Sequence, residues 1–201
     1  MKRVIVASHN KKKIKELAEI LSGYGYEPVS RDDAGIDKDF EVVEDGETFE
    51  ENSFKKASQI CELSGEIAIA DDSGLMVDAL GGAPGVYSSR YSGKDGDDEA
   101  NNEKLLRELR NVPEDKRNAK FVTVITLCYP DGNKILAKGE VHGKIANDYM
   151  GKDGFGYDPL FIPDGYDTTF GVLGAEVKHK ISHRANAIKE LDKKIKNANQ
   201  K

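Results

Sequence analysis

The chain has 201 residues, of which 38% are hydrophobic and 33% are charged, a composition typical of one soluble globular domain. Its formal net charge of −6 argues against binding to a nucleic acid polymer, because that function needs a basic face. Small polyphosphate ligands are not excluded, since local lysines or a metal ion can neutralise them. The sequence shows neither a signal peptide nor a membrane-spanning apolar stretch. We therefore expect a cytoplasmic protein with no membrane partner.

The two cysteines, Cys61 and Cys128, lie within apolar segments and lack the spacing of metal ligands. We expect each of them to be a small buried hydrophobic residue.

The first part of the chain alternates strand and helix patterns. Short buried strands are predicted at 4–7 and 67–70, and a further strand is predicted at 27–30. Helices are predicted at 11–22, from its apolar stripe, and at 48–63, from its capping-box spacing and the glycine that follows. The residues after the third strand, Asp71-Asp72-Ser73-Gly74, all favour a turn.

The second part of the chain contains the longest strand pattern. Helices are predicted at 97–110 and from Ser182 onward, and strands at 119–129, 134–145 and 160–162. A Pro-Asp-Gly-Asn turn joins the two long strands as a hairpin. Residues 146–158 are predicted to form a glycine-rich loop. We expect an α/β fold with a mixed β-sheet.

Adjacent carboxylates follow the predicted strand at 67–70. Ligands of α/β proteins gather outside the carboxyl ends of strands. Carboxylates at such a place suit Mg²⁺, which prefers oxygen ligands and is often bound together with a phosphate. A solvated turn explains the same residues, so both interpretations stay open on this stretch alone.

Five further stretches combine residue types that suit a nucleotide site. They are Ser8–Lys13, Glu44–Asn52, Gly85–Tyr91, Gly154–Pro159, and Lys178 together with 182–184. A helix N-terminus attracts phosphate, acids supply metal ligands, and glycines beside an aromatic ring let a flat base approach. Each stretch also has an ordinary explanation, such as a solvated helix start, a helix cap, tyrosine packing, a tight turn or a salt-bridged surface helix.

Six stretches in this order closely resemble the inosine triphosphate pyrophosphatase family, in its bacterial and archaeal branch. They read SHNKKK at 8–13, GETFEEN at 46–52, ADDSGL at 70–75, GGAPGVYSSRY at 81–91, GFGYDP at 154–159 and SHR at 182–184. The resemblance implies an α/β fold with a long mixed β-sheet flanked by helices, in two lobes with the active site in the cleft between them. It also implies a homodimer and Mg²⁺ dependence. It also implies hydrolysis of noncanonical purine nucleoside triphosphates between the α and β phosphates.

The resemblance also implies roles for individual residues. Asp72 corresponds to the proton acceptor and a metal ligand. Some family members carry an acid three residues before the glycine matching Gly46, where this chain has Val43, so we assign the second metal position to the next acid, Glu44. The implied substrate contacts are Ser8, His9, Asn10, Lys11, Lys12 and Lys13 for the triphosphate, Ser73, the base pocket Phe155, Gly156, Tyr157 and Asp158, and further Lys178, His183 and Arg184.

Two other functions stay open at this point. One is a pyrophosphatase for modified pyrimidine nucleotides, against which the Phe155 block and Ser182-His183-Arg184 argue. The other is a nucleotide sensor without catalysis, against which the intact Asp71-Asp72 pair and Lys13 argue.

Overall fold

The computed structural model describes residues 2–8, 10–37 and 39–198. Its strands are β1 Lys2–Val6, β2 Tyr26–Ser30, β3 Ala68–Val77, β4 Asn118–Cys128, β5 Lys134–Ile145 and β6 Phe161–Pro163. Its α-helices are α1 Lys11–Ser22, α2 Phe49–Ser64, α3 Asp98–Glu108, α4 Phe170–Ile181 and α5 His183–Ala198. No helix within the described residues is both long enough and apolar enough to cross a bilayer.

The six strands form one mixed sheet in the order β2-β1-β3-β4-β5-β6. β1 runs parallel to β2 and to β3, with Ile5 opposite Ala68, whereas β5 and β6 are antiparallel. The predicted α/β class with a mixed sheet is thereby confirmed. β4 and β5 are neighbours joined by a tight turn in which the Tyr129 N–H donates to the Asn133 carbonyl at 2.9 Å, as the sequence predicted.

The chain divides into two compact units. Unit 1 comprises Met1–Asp72, Thr123–Gly139 and Arg184–Lys201, and unit 2 comprises Ser73–Val122 and Glu140–His183. Strand β3 therefore contributes Asp72 to unit 1 and Ser73 to unit 2.

In unit 1, side chains of β1 and β3 alternate between two hydrophobic clusters, because successive strand residues point to opposite faces. One cluster joins the sheet to α1 and α5 and contains Val4, Val6, Ile69, Leu17, Leu21 and Ile188. The other joins it to α2 and contains Ile5, Ala7, Ala68, Ala70, Ala57 and Ile60. Both cysteines are buried in this second cluster, which confirms their predicted role as apolar residues.

In unit 2, one cluster joins α3, the sheet and the start of α4. Its members include Leu75, Leu105, Leu109, Phe121, Phe161 and Phe170. Phe121 and Phe161 pack with ring centroids 4.7 Å apart, and Phe161 and Phe170 with centroids 5.6 Å apart.

One prediction of local structure is wrong, and one helix was not predicted. The predicted turn at 71–74 is part of β3, which continues to Val77. Gly74 is needed there for a close approach, because a Cβ would lie 2.2 Å from the Gly85 carbonyl oxygen. Helix α4 is the helix that was not predicted from the sequence. This helix is broken at Gly174, whose φ of 74° and ψ of 179° are not helical. The same glycine interrupts the helical pattern in the sequence.

Candidate active site

The carboxylates of Asp72 and Glu44, in unit 1, both contact the buried ammonium group of Lys56. The Lys56 Nζ donates to Asp72 Oδ1 at 3.0 Å and to Glu44 Oε2 at 2.8 Å. The Lys56 side chain is 10% exposed and that of Asp72 is 9% exposed, whereas that of Glu44 is 40% exposed. Asp72 and Glu44 are the two predicted metal ligands, and the structure brings their carboxylates to the same ammonium.

The charge of this cluster keeps Lys56 protonated. Burial by itself lowers the pKa of the Lys56 ammonium, but the carboxylates of Asp72, Glu44 and Asp71 outweigh it and raise the pKa. A permanent positive charge therefore lies between the two acids.

Asn52 connects the same aspartate to the loop before α2. Its Nδ2 lies 3.4 Å from Asp72 Oδ2 and 3.3 Å from the Gly46 carbonyl, and its Oδ1 accepts the Gly46 N–H at 2.8 Å. Gly46 permits this contact, because a Cβ there would lie 2.6 Å from Asn52 Oδ1. Asn52 and Lys56, on successive turns of α2, thus contact Asp72, and Asn52 also fixes the loop that carries Glu44.

The start of α2 confirms the predicted cap. Thr48 is the N-cap, and its side chain accepts the Glu51 N–H at 3.2 Å. Glu51 in turn accepts the Glu47 N–H at 2.8 Å. Glu51 is therefore a capping residue, as the spacing predicted.

Asp71 has a different partner from its neighbour. Its Oδ2 lies 3.1 Å from Arg184 Nε, and both side chains are 2% exposed. Arg184 is the second residue of α5, so this ion pair fixes the start of that helix to β3. The predicted substrate contact Arg184 is thus oriented by Asp71.

The predicted triphosphate cradle lies between β1 and α1. The Asn10 N–H donates to Ser8 Oγ at 3.2 Å, and Lys11 is the exposed first residue of α1. His9 lies outside the described residues, and for Lys12 and Lys13 only the helical backbone is described. The assignment of the cradle therefore stays a prediction.

The predicted base-pocket residues lie together in unit 2. Asp158 Oδ2 accepts the Phe155 N–H at 2.9 Å and the Lys178 ammonium at 2.7 Å. The Lys178 Nζ also lies 4.3 Å from the centroid of the Phe155 ring, a cation–π contact. The Tyr157 hydroxyl donates to the Ser88 carbonyl at 2.8 Å, and its burial raises the pKa of Tyr157 far above the ordinary value. Three of the predicted residues, Phe155, Asp158 and Lys178, are thereby brought into contact with one another.

The other predicted contacts of unit 2 are Ser73 and His183. Ser73 is half-buried in β3. His183 is buried against Phe121, with ring centroids 4.9 Å apart and planes 15° from parallel. It begins α5 directly after Ser182, whose backbone is extended, as the predicted helix start requires.

Lys56 lies outside every stretch singled out from the sequence, and Asn52 lies in one of them but was given no role there. The buried residues of α2 are Phe49, Asn52, Ser53, Lys56, Ala57, Ile60 and Cys61, which recur at the spacing of one helix face. Polar residues within such a buried stripe need partners, because an unpaired buried charge is strongly destabilising. A lysine and an asparagine four residues apart in the stripe were therefore the available signal.

The acids of unit 1 fit a hard divalent cation. Two carboxylates converge on a single positive group, and both offer oxygen donors. Within the described residues no cluster of three or more His, Cys, Asp or Glu side chains forms a metal cage. Two carboxylates match Mg²⁺, which usually takes one or two of them and completes its coordination with water and substrate phosphates.

Comparisons with known proteins find one family that is similar to this chain over nearly its whole length. The sequence model of the Ham1 family matches residues 4–194. A dITP/XTP pyrophosphatase of Clostridium perfringens is 49% identical over 202 residues, covering 98% of each chain, and one of Geobacter sulfurreducens is 50% identical over 189 residues, covering 94% of each. The solved structure of the Staphylococcus aureus Ham1 protein has a TM-score of 0.85 at 42% identity, covering 98% of this chain and 100% of that one.

Proposed function

Because this chain belongs to the Ham1 family, we propose that it hydrolyses ITP, dITP and XTP, noncanonical purine nucleoside triphosphates, to the monophosphate and pyrophosphate. This activity would remove such nucleotides from the cellular pool. The observation that carries the proposal is the buried Asp72 carboxylate, which faces Glu44 across a fixed ammonium. The names of the curated relatives support the substrate class.

We propose Mg²⁺ as the cofactor, with Asp72 and Glu44 as its protein ligands. When bound, the ion would neutralise phosphate charge and lower the pKa of a coordinated water. Lys56 would hold the two carboxylates together before the ion arrives and would then offer its ammonium to a phosphate oxygen.

The chain's own residues contribute position and charge. Water attacks the α-phosphorus as the bond to the β-phosphate bridging oxygen breaks and pyrophosphate leaves. Asp72 accepts the proton of that water, and Asn52 and Lys56 fix the carboxylate that receives it. Ser8, Asn10 and Lys11–Lys13 are proposed to bind the triphosphate at the start of α1, where N–H groups favour anions. Little covalent chemistry is required, so positioning and neutralisation determine the rate.

Selectivity for the base is proposed to come from the segment Phe155–Asp158. Three backbone N–H groups of this segment already have acceptors. The Phe155 N–H donates to Asp158 Oδ2, and the Gly156 N–H donates to Asp98 Oδ2. The Asp158 N–H donates to the Phe155 carbonyl. Within the described residues the Tyr157 N–H has no acceptor, so it can donate to the 6-keto oxygen of hypoxanthine or xanthine. Adenine carries an amino group at that position and would leave this donor unpaired, a mismatch of the kind that can discriminate by about 10⁴.

A pyrophosphate-release assay with Mg²⁺ tests the proposal. Wild-type protein should hydrolyse ITP, dITP and XTP much faster than ATP, GTP or modified pyrimidine nucleotides. Asp72→Asn should keep nucleotide binding and lose turnover by at least about 10³-fold, because the proton acceptor is gone. Near-normal turnover of Asp72→Asn would contradict the role of Asp72, and equal rates with ATP and ITP would contradict the substrate class. Nucleotide binding without pyrophosphate release by the wild type would favour a sensor.

We further propose that the enzyme acts as a homodimer in the cytoplasm. The resemblance to the inosine triphosphate pyrophosphatase family supports the dimer, and a nucleotide-pool substrate supports the compartment. Sedimentation equilibrium of the full chain would test the dimer, and a monomer at micromolar concentration would contradict it.

A further inference from the structure

Helix α3 carries polar residues within its buried face. Its buried residues are Asn101, Asn102 and Leu105, and Leu109 follows directly after its last turn. Asn102 is 3% exposed, and within the described residues its Oδ1 has no hydrogen-bond partner. A leucine would suit such a position better if packing were its purpose, since a buried unsatisfied acceptor is destabilising.

Asn102 and Asp98, one turn apart on α3, hold both backbone groups of Gly156. The Gly156 N–H donates to Asp98 Oδ2 at 2.8 Å, and the Gly156 carbonyl accepts from Asn102 Nδ2 at 2.8 Å. Gly156 has a φ of 60°, a conformation that glycine adopts easily and leaves as easily. The two side chains therefore restrain a residue that would otherwise rotate freely.

The restraint extends to the neighbouring peptide groups. A peptide unit is planar, so the Gly156 carbonyl and the Tyr157 N–H move together, as do the Phe155 carbonyl and the Gly156 N–H. The contact with Asn102 thus sets the direction of the Tyr157 N–H, the donor proposed above to read the base. The contact with Asp98 sets the orientation of the peptide plane between Phe155 and Gly156.

We propose that Asp98 and Asn102 are positioning residues that determine base discrimination by fixing the two peptide planes on either side of Gly156. This inference rests on the proposed function and adds to it two residues that do not touch the substrate. Preorganised donors discriminate because the wrong base cannot be accommodated by rotation of the loop.

The test compares catalytic efficiency for dITP and for dATP. Asp98→Ala and Asn102→Leu each remove one contact with Gly156, and we expect each to lower the dITP-to-dATP ratio of kcat/KM by about tenfold or more. The loss should come through a higher KM for dITP, with kcat nearly unchanged, because the reacting phosphates are not involved. Asp98→Asn keeps an acceptor for the Gly156 N–H and should retain the ratio. The exposed neighbour Glu99, replaced by alanine, is the matched control.

Hydrogen exchange without ligand gives a second measurement. The peptide covering 154–158 should exchange faster in Asp98→Ala and Asn102→Leu than in the wild type or Glu99→Ala. If Asn102→Leu does not fold, Asp98→Ala carries the test, since Asp98 is only half-buried. Lower melting temperatures with an unchanged dITP-to-dATP ratio would overturn the inference and leave a structural role. A wild type that releases no pyrophosphate from dITP would instead refute the proposed function itself, and the inference with it.

Discussion

Replacing Lys56 with methionine should lower the free energy of unfolding, because the carboxylates of Glu44 and Asp72 lose the positive charge between them. Methionine keeps most of the side-chain length but removes the ammonium shared by Glu44 and Asp72. Removing one partner of a buried pair destabilises a protein by about 3–5 kcal/mol. Glu44 is 40% exposed and can be rehydrated, so the uncompensated charge is mainly that of Asp72. We therefore expect a loss of about 3 kcal/mol, the lower end of that range.

The assay is urea unfolding at neutral pH in the presence of EDTA, with Lys55→Met as the control. Lys55 pairs with Asp45, but the two side chains are 39% and 66% exposed, so its loss should hardly change the free energy of unfolding. Adding Mg²⁺ should then restore stability to Lys56→Met, because the ion can occupy the place of the lost ammonium. At one hundred times its Kd, an ion that binds only the native state adds about 2.7 kcal/mol.

Equal stability of Lys56→Met and Lys55→Met would contradict the electrostatic role of Lys56. A failure of Mg²⁺ to stabilise Lys56→Met would contradict the binding of the ion at the same carboxylates. Combining Lys56→Met with Asp72→Asn should recover stability relative to Lys56→Met alone, since the second substitution removes the negative charge that the Lys56 ammonium no longer neutralises.

Two further predictions concern the strands. Gly74→Ala places a methyl group 2.2 Å from the Gly85 carbonyl and should lower the free energy of unfolding by about 2 kcal/mol or more, and an unchanged urea midpoint would contradict this close approach. Burial raises the pKa of the Cys128 thiol to about 11 from 9.0, so the unfolded chain releases this proton first as the pH rises. The contribution of Cys128 to stability is therefore complete below about pH 9 and is lost between about pH 9 and pH 11. Unfolding by urea across that range should depend less on pH in Cys128→Ala, and an identical dependence would argue against the shift.

Local patterns predicted most of the helices and strands. The apolar stripe at 11–22 gave the bounds of α1, and the turn after Tyr129 gave the strand at 134–145, because both signals depend on residues close in the chain. The turn predicted at 71–74 was wrong because the competing interactions come from far along the sequence. The Asp72 carbonyl accepts from Thr123 Oγ1 at 3.2 Å, and the Leu75 N–H donates to Ser88 Oγ at 2.9 Å. Such contacts override the turn preference of the residues themselves.

The candidate site residues were assigned by resemblance more than by pattern. The sequence assigned Asp72 and Glu44 to one site, but the cation between them is Lys56, which no motif quoted for the resemblance contains. Likewise, the block at 154–159 indicated a base pocket, whereas the helix that holds its Gly156 is about fifty residues earlier in the chain. Side chains that position a site often come from such distant elements, and their spacing carries no local signature.

The strand geometry of β3 explains why two adjacent aspartates have different roles. In a turn, both carboxylates could face solvent or one ion, as the sequence allowed. In a strand, successive side chains point to opposite faces. On one face of β3, Ala68 and Ala70 pack towards α2, and Asp72 on the same face contacts Lys56. On the other face, Ile69 packs towards α5, and Asp71 contacts Arg184. The two adjacent carboxylates thus reach different partners, and the acid that meets the same ammonium as Asp72 is Glu44, which agrees with their proposal as the pair of metal ligands.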